Sequence, residues 1–478
     1  MLPSSPSYGT ARLLYDPRFD DINPAAVAYC ASATDVQRCI DFARTHGIGP
    51  VPRCGGHSYA GYSSGPGLVV DVTLMNTVTV SAAAAAAAAT AGSSSTQAVV
   101  GAGTLLVDLY SQLAQAGVLV PGGSCPTVGI SGLALGGGVG VVGRKYGLTC
   151  DAIESVQIVT ADGRVLTCDA GTNEDLYWAC RGGGGGNFGV VTSFTFRAAP
   201  IPELALFTLD WPWSAAADVL GSWFAWQNAG PVELWSNCQL LSTGSTTPQV
   251  RTAGMFVGTS AALSSLVATL VAAVGTQPTY RFVGPEQYLH AMLVEAGCES
   301  LDVAQCHLPT QNPAGTLDRS ASVASSAYVS VLPPPAGIDV FVAVVDDLTQ
   351  TLPGVGGGVV FDALGGAINE VKPSDTAFVH RNAISGIQAS VATSSSALSV
   401  QEGRSWLAHF AAVAANYVDG SAYQNYIDPA LVDWQNAYYG ANYPRLVSVK
   451  AAHDPDDVFH FAQSIPTRLG TWKATAPS

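Results

Sequence analysis

Four glycine-dense segments in the first half of the chain have the composition of loops that hold a large, extended ligand. They are Cys54-Gly-Gly-His57, Pro121-Gly-Gly-Ser-Cys125, Gly136-Gly-Gly-Val-Gly140 and Arg181-Gly-Gly-Gly-Gly-Gly-Asn-Phe-Gly189. Because glycine costs backbone entropy, this density indicates close backbone approach to a ligand or repeated turns with positive φ. Glycine-rich loops let backbone N–H groups converge on phosphate oxygens, so a pyrophosphate is the natural ligand.

One segment, Gly138-Val-Gly140-Val-Val-Gly143, also matches the dinucleotide fingerprint G-x-G-x-x-G, with Asp162 about 20 residues further on. The residues before it, 127–135, are interrupted by glycines where a buried strand should stand, and the motif lies deep in the domain. A Rossmann site for a nicotinamide cofactor and a purely structural set of glycine turns therefore stay as the weaker alternatives.

The composition bounds the function classes. The chain has 478 residues with 20 basic and 35 acidic side chains, a net charge of -15 and 12% charged positions. No basic surface large enough to neutralise a run of phosphates is expected, which argues against nucleic-acid binding. The longest apolar runs, at 82–89 and 410–415, are far shorter than the ~18 residues of a membrane span, so we expect a soluble protein.

The cysteines and the first residues of the sequence bear on disulfides, metal sites and cellular location. Ten cysteines are too sparse for a disulfide scaffold, and none has zinc-knuckle spacing, so no metal site is expected. Cys298 and Cys306 are close enough in sequence to pair, and this disulfide is left open. No secretory signal is visible at the first residues, so cytoplasmic location and export after signal removal both stay open.

The elements that must position the glycine loops alternate short β-branched runs with helical stretches from about Pro24 to Phe196. The spacing of residues 33–46 predicts a helix that ends at Gly47, and residues 68–72 and 98–101 predict strands. Eight alanines at 82–89 form a low-complexity insertion, for which a partly helical or disordered surface loop is expected.

The character of the chain changes after Pro200, where glycine thins out and tryptophans gather. The apolar runs 204–211 and 338–345 predict strands of a second domain at 201–415. The aromatic and polar tail from 416 to 478 does not continue that sheet, and we expect it to return to the first domain, residues 1–200. The first half is therefore α/β or α+β, and the chain is expected to have two domains.

Taken together, the motifs resemble the berberine bridge enzyme-like FAD-linked oxidases. They lie between residues 33 and 465 in the family's order. The segments that carry the resemblance are Pro52-Arg-Cys-Gly-Gly-His57, Gly122-Gly-Ser-Cys125, Gly136-Gly-Gly-Val-Gly140, Asp175-Leu-Tyr-Trp178 through Gly189, Tyr423-Gln-Asn-Tyr426, Tyr438-Tyr-Gly-Ala-Asn442 and Asp454-Pro-Asp-Asp-Val-Phe459.

The resemblance implies an α+β fold of the vanillyl-alcohol-oxidase type with two domains. In this fold both chain ends form the FAD-binding domain, and the central segment forms the substrate domain with a large antiparallel sheet. It also implies FAD tethered twice, by His57 to the 8α-methyl group and by Cys125 to C6. A thiolate is the nucleophile that attack at C6 requires. Alone, each residue is an ordinary loop histidine or small buried cysteine.

The same resemblance assigns further residues to the flavin site. These expected cofactor-binding residues are Arg53, Cys54, Gly55, Gly56, Ser58, Gly122, Gly123, Thr127, Val128, Gly129, Ser131, Gly132, Gly137, Gly138, Gly140, Asn187, Gly189, Val190, Tyr426 and Asn442.

The catalytic residues implied are Tyr426 as the base, with Tyr423 and Asp362 as further candidates. A phenol with an ordinary pKa near 10 is a poor base at neutral pH, so a nearby cation or hydrogen-bond donors must lower the pKa of Tyr426. Asp362 is expected to hydrogen-bond Tyr426, or else to be a solvated strand-end carboxylate. Tyr423 is a second active-site phenol or a packing residue.

The resemblance thus implies an oxidase that removes a hydride from an alcohol of a carbohydrate or glycosylated metabolite and reduces oxygen to hydrogen peroxide. In the family, a small residue at the position of Val128 admits oxygen, which favours an oxidase. A dehydrogenase of the same fold and a flavin-binding protein without turnover are the alternatives. The expected partners are a small-molecule substrate and oxygen, with no nucleic acid and no membrane, and the oligomeric state stays open.

Overall fold

The computed structural model describes residues 1–81 and 96–470 of the chain. The alanine run at 82–89, for which the sequence predicts a surface insertion, lies outside the described residues. Three sheets and the helices packed on them make up the described part.

A small parallel sheet carries the first glycine-rich loop. Its strands are β1 (Ala26–Tyr29), β2 (Pro50–Arg53) and β3 (Leu68–Asp71), with β3 in the middle. Helix α2 (Ala33–His46) connects β1 to β2, begins at a Ser32 side-chain cap and ends at Gly47 with φ of 63°. The predicted helix, its glycine end and the strand near residue 68 are therefore confirmed.

A second, antiparallel sheet follows in the order β4-β5-β9-β7-β8, with β6 paired to β9. Along the chain, the glycine-rich segment at 121–140 lies between β6 and β7, and the one at 181–189 lies between β8 and β9. Strand β5 covers the run at 98–101 that the sequence predicts to be extended. The strands are β4 (Val78–Val80), β5 (Thr96–Gly101), β6 (Val118–Leu119), β7 (Ile153–Val159), β8 (Val165–Asp169) and β9 (Val190–Pro200).

The third sheet has seven antiparallel strands in the order β13-β10-β12-β11-β15-β16-β14. One face packs on helices, where the ring of Phe361 contacts Phe341 and Phe224 at 5.1 and 5.4 Å between centroids. The strands are β10 (Leu204–Trp211), β11 (Leu234–Thr243), β12 (Gln249–Val257), β13 (Tyr280–Glu286), β14 (Ser322–Val329), β15 (Gly356–Ala363) and β16 (Ser385–Ala392).

One predicted strand is wrong. Residues 338–345 lie inside a helix that spans Pro335–Thr351 and has proline at its first turn. Its buried side chains include Ile338, Phe341, Val345 and Leu348, a spacing of three and four residues that belongs to one helix face. The valine-rich composition suggests a strand, but the burial of one helical stripe against the sheet decides the conformation.

Along the chain, most helices alternate with the strands. Besides α2, they are α1 (Tyr8–Ala11), α3 (Leu106–Gln115), α4 (Ile130–Leu135), α5 (Gly143–Tyr146), α6 (Glu174–Ala179), α7 (Ala216–Ala229), α8 (Ser260–Val274), α9 (Tyr288–Glu295), α10 (Pro335–Thr351), α11 (Ala367–Glu370), α12 (Ala397–Ala414), α13 (Trp434–Tyr439) and α14 (Tyr443–His453), with 3-10 turns at Pro17–Phe19, Thr149–Ala152, Trp213–Ala215, Gln424–Tyr426 and Gly440–Asn442.

The last part of the chain contacts the glycine loops of the first part. Nζ of Lys450, which is fully buried, donates to the carbonyl oxygen of Asn187 at 2.9 Å and pairs with Asp454 at 2.6 Å. The backbone N–H of Ile465 donates to Oδ1 of Asn187 at 2.8 Å. These contacts bring the two ends of the chain together, while the domain limits at 200 and 415 stay a prediction.

Candidate active site

A cavity of about 710 Å³ opens between the glycine-rich loops and the seven-stranded sheet. This is within the range of about 300–1,000 Å³ that small-molecule and cofactor sites occupy. Of the residues that the sequence assigns to the cofactor, sixteen besides Tyr426 line this cavity. They are Arg53, Cys54, Gly55, Gly56, His57, Ser58, Gly123, Cys125, Val128, Gly129, Ser131, Gly132, Gly140, Asn187, Gly189 and Val190.

The other five expected cofactor residues lie behind the cavity wall. Gly122 backs Gly140, whose missing side chain allows close contact with the Gly122 carbonyl. Gly137 and Gly138 have positive φ of 121° and 85° and contact Phe378 and Thr149. These glycines shape the loop without facing the ligand space.

Asn442 does not line the cavity, and its role in cofactor binding stays a prediction. Its Nδ2 donates to the carbonyl oxygens of Pro373 and Thr376 at 2.7 and 3.1 Å, which fixes that loop from outside the cavity. Thr127, the fifth residue, does not line the wall but contacts both predicted flavin-linking residues, as described below.

The first glycine-rich loop leaves strand β2 at Arg53. The guanidinium of Arg53 is buried, pairs with Asp71 at 2.6 Å and donates to the carbonyl oxygen of Ala11, also at 2.6 Å. Its Nη1 has no hydrogen-bond partner among the described residues. Gly55 lies so close to the backbone at Gly129 that a Cβ would stand 2.5 Å from the Gly129 nitrogen. Only glycine fits at this close approach of two loops.

His57 and Cys125 both lie beside the hydroxyl of Thr127. Nε2 of His57 is 2.9 Å from Oγ1 of Thr127, and Sγ of Cys125 is 3.9 Å from the same oxygen. The imidazole stacks on Tyr15 with ring centroids 4.0 Å apart. Burial lowers the pKa of His57 to about 3, so the imidazole is neutral, and burial raises the pKa of the Cys125 thiol.

The opposite wall is one face of the seven-stranded sheet. Because side chains alternate along a strand, Trp235, Asn237 and Gln239 of β11 all face the cavity. Asn237 is paired in register with Asp362 of β15, and Gln239 is aligned with Val360 and Gln388. The wall that faces the glycine loops is thus an amide-rich, polar surface.

Three tyrosines lie where the two walls meet. The rings of Tyr59 and Tyr426 are stacked at 5.4 Å with an angle of 13° between planes, and Tyr423 packs edge-on against Tyr426 at 5.0 Å. Nε2 of Gln388 donates to the Tyr59 hydroxyl at 2.7 Å. The Tyr423 hydroxyl accepts a hydrogen bond from the N–H of Gly138 at 2.9 Å, so Tyr423 also holds a glycine loop in place.

The expected low pKa of Tyr426 is wrong for this structure. Burial raises the pKa of Tyr426 well above its ordinary value, and the nearby Asp362 carboxylate raises it further. No cation among the described residues is found to lower the pKa of Tyr426 against burial and the Asp362 charge. The expected hydrogen bond between Asp362 and Tyr426 is also absent from the described contacts.

The charge of Asp362 instead acts on Glu295, a second acidic residue of the cavity that sequence reasoning misses. Both carboxyls line the cavity. Burial raises the pKa of Asp362 to about 7, and burial together with the Asp362 charge raises the pKa of Glu295 to about 7. Because the two groups interact, their protons belong to the pair. The sequence signal that could have pointed to Glu295 is an acidic residue at the end of the mostly apolar run that forms helix α9.

The residues present fit FAD. Glycine loops without side-chain obstruction, the unpartnered Nη1 of Arg53 and the neutral His57 line one wall of a cavity long enough to reach Tyr426 and Asp362 on the other. The Rossmann alternative is wrong, because helix α4 and not a strand precedes the motif at Gly138. Within the described residues no group of three or more metal-ligating side chains and no helix able to cross a membrane is found.

Comparison with known proteins gives matches along the whole chain. Residues 24–169 match the FAD-binding domain family, and residues 422–466 match the family described as berberine and berberine like. The FAD-linked oxidoreductase YvdP of Bacillus subtilis is 32% identical over 470 residues, which cover 96% of each chain.

A sugar oxidase and a solved plant structure are also similar. Xylooligosaccharide oxidase of Thermothelomyces thermophilus is 28% identical over 464 residues, which cover 92% of this chain and 87% of that protein. The structure of BBE-like 1 from Physcomitrella patens superposes with a TM-score of 0.86 and 33% identity, covering 98% of this chain and 97% of that one.

Proposed function

The chain belongs to the berberine bridge enzyme-like FAD-linked oxidoreductases and has their vanillyl-alcohol-oxidase-type fold, and we propose that it oxidises an alcohol group of a carbohydrate or glycosylated metabolite. One observation carries the proposal. The cavity has the predicted flavin-linking residues on one wall and the amide-rich sheet face, with Asp362 and Gln388, on the other. Amides and carboxylates are the groups that bind hydroxyls. The similarity to xylooligosaccharide oxidase supports a sugar substrate.

His57 and Cys125 would hold the flavin covalently at two points. The low pKa keeps the imidazole of His57 neutral. In the tautomer in which Nε2 carries the ring proton and donates it to Thr127, Nδ1 has the free lone pair that a bond to the flavin requires. Burial raises the pKa of Cys125, and the Thr127 hydroxyl beside Sγ offsets part of this rise by stabilising the thiolate that attack requires. Bound FAD would accept the hydride from substrate carbon and deliver the electrons to oxygen, giving hydrogen peroxide.

Asp362 is the better proton acceptor of the two candidates in this cavity. A general base works best when its pKa lies near the working pH, and burial places the pKa of Asp362 at about 7. The raised pKa of Tyr426 keeps its phenol protonated, so this hydroxyl binds and orients the substrate oxygen. In this assignment the substrate O–H proton passes to the Asp362 carboxylate, and Gln388 fixes Tyr59 against Tyr426.

Val128 lines the cavity, which supports oxygen as the acceptor over a dye or another protein. An intact mass and peptide map after acid denaturation tests the linkage: we expect FAD on peptides that contain His57 and Cys125. An anaerobic screen of mono- and oligosaccharides, alcohols and amines then tests the reaction by flavin bleaching, followed by air. We expect a sugar to bleach the flavin absorbance. On exposure to air, the absorbance should return rapidly and hydrogen peroxide should form.

Each part of the proposal has its own contrary result. If the absorbance of the oxidised flavin returns slowly in air but quickly when a dye is added, the protein is a dehydrogenase. Bleaching by amines alone would remove the carbohydrate assignment. A flavin that no compound reduces would indicate a flavin-binding protein without turnover.

A further inference from the structure

Cys30 and Cys39 lie against one another, away from the cavity. Cys30 directly follows strand β1, and Cys39 lies in helix α2, with their Sγ atoms 3.7 Å apart. Cys30 is buried, whereas Cys39 is only half-buried. Neither thiol lines the candidate active site, and the flavin linkage does not involve them.

The geometry is that of a dithiol ready to close. The two sulfurs must approach by less than about 2 Å to reach disulfide bonding distance, a shift within the range of side-chain rotation. The hydrogen bond between the two thiols lowers the pKa of Cys39 and raises the pKa of Cys30. Cys39 therefore has the greater thiolate character, and the thiolate is the form that reacts with oxidants.

We propose that Cys30 and Cys39 form a peroxide-reactive site in which oxidation joins the two residues as a disulfide. The Cys39 thiolate attacks one oxygen of the peroxide and becomes a sulfenic acid, while the other oxygen leaves as water after taking up a proton. The Cys30 sulfur then attacks the sulfenic sulfur, and its proton leaves with the hydroxyl as a second water. Two thiols are oxidised by two electrons, and one peroxide is reduced to two waters.

The bond would connect the end of β1 to helix α2, and so to β2 and the loop that begins at Arg53. The reaction that we propose for the active site generates hydrogen peroxide, which gives this site an oxidant from its own chain. The dithiol chemistry itself requires only peroxide, so it can be tested apart from the proposed function.

The experiment uses the full-length holoprotein, reduced with dithiothreitol, freed of reductant and exposed to a few equivalents of hydrogen peroxide. Free thiols are then alkylated in denaturant and the digest is mapped without reduction. We expect a peptide that joins Cys30 to Cys39, a mass loss of about 2 Da for this bond and two fewer alkylated thiols. The melting temperature should rise by about 2–3 °C, because the bond restricts only a short loop of the unfolded chain.

Two variants make the result specific. Cys39→Ser should give no joined peptide and leave Cys30 alkylated, while Cys238→Ser, which removes a buried thiol elsewhere, should keep the joined peptide. The disulfide between Cys298 and Cys306, in a parallel digest of protein that was never reduced, serves as the standard for recovery of joined peptides. Recovery of Cys30 and Cys39 in alkylated form after excess peroxide, or of Cys39 as a sulfinic acid beside a free Cys30, would overturn the proposal.

Discussion

Oγ1 of Thr127 lies 2.9 Å from Nε2 of His57, although Thr127 itself is not on the cavity wall. The contact fixes the imidazole from behind, and the stacking of Tyr15 at 4.0 Å fixes its plane. The orientation of His57, the predicted linking histidine, is thus set by a residue that lies behind the cavity wall, as in metal sites whose ligands are oriented from behind.

Replacing Thr127 with Val should therefore reduce flavin attachment to His57. The variant keeps the side-chain shape but removes the hydroxyl, so the ring nitrogen loses its partner and the imidazole its fixed orientation. The fraction of FAD on the His57 peptide, measured after acid denaturation, should fall several-fold, and the Cys125 linkage should form more slowly.

Thr104→Val is the matched control, because Thr104 is also buried and its hydroxyl donates to the Gly101 carbonyl at 2.8 Å. It should keep both linkages. Complete attachment to His57 in the Thr127 variant would remove Thr127 from the linking chemistry.

Tyr426→Phe should leave a folded, flavin-loaded protein whose reduction by substrate is at least ~100-fold slower. The phenol that orients the substrate oxygen is lost, while the stacking of the ring on Tyr59 is kept. Because Asp362 is the proposed base, the pH dependence of the remaining rate should be unchanged. Stopped-flow reduction across a pH series checks both statements, and an unchanged rate would exclude Tyr426 from the reaction.

Asp362→Asn should act differently from Tyr426→Phe. The rate of flavin reduction in the native protein should rise with pH as the carboxyl with a pKa of about 7 loses its proton. The amide cannot take a proton, so the variant should be slow at every pH and should lose this rise. A rise near pH 7 that persists in Asp362→Asn would assign the base to another group.

Glu295→Gln should move the same pH profile toward acid. The Asp362 charge raises the pKa of Glu295, and by reciprocity the Glu295 charge opposes ionisation of Asp362. Removing that charge favours the Asp362 carboxylate, so the midpoint of the rate rise should shift to lower pH. A profile that does not move would show that the two carboxyls act independently.

The same carboxyl pair affects stability in a direction that can be worked out. Both pKa values are raised on folding, so the unfolded chain releases these protons at lower pH than the folded chain. Their contribution to stability is therefore present below about pH 4 and is lost as the pH rises toward 7. Glu295→Gln should accordingly unfold at a higher urea concentration than the native protein at pH 8, with a smaller difference at pH 4.

Lys450→Met should cost about 3–5 kcal/mol in the free energy of unfolding, because it leaves the buried Asp454 carboxylate without its charge partner. It also removes the contact with the Asn187 carbonyl, so flavin incorporation should fall. Lys145→Met is the control, since its ion pair with Glu233 is partly exposed and should be worth no more than about 1 kcal/mol. Equal urea midpoints for the two variants would contradict this.

The glycine-loop side of the site could be predicted from the sequence because its residues lie within short, continuous motifs. Sixteen of the expected residues, from Arg53 to Val190, line the cavity. Asn442 belongs to one of those motifs but turns toward a different loop, because its neighbours Pro373 and Thr376 are distant in sequence.

The opposite wall could not be predicted in the same way. Asn237, Asp362 and Gln388 come from three strands, and only the register of β11, β15 and β16 aligns them. Glu295 arrives from a separate helix. A single sequence shows neither the register of strands nor the placement of a helix. For residues 338–345, composition alone predicts a strand where the structure has a helix.

The buried contacts of Lys450 and Ile465 with Asn187 also set an order of events during protein synthesis. Asn187 leaves the ribosome more than 260 residues before Lys450, which is separated from it by 263 positions. The loop that carries Asn187 therefore lacks its final partners until residues 450–465 have been translated. Cofactor capture should therefore depend on residues 450–465, and a chain truncated before Lys450 should fail to hold FAD even though His57 and Cys125 remain.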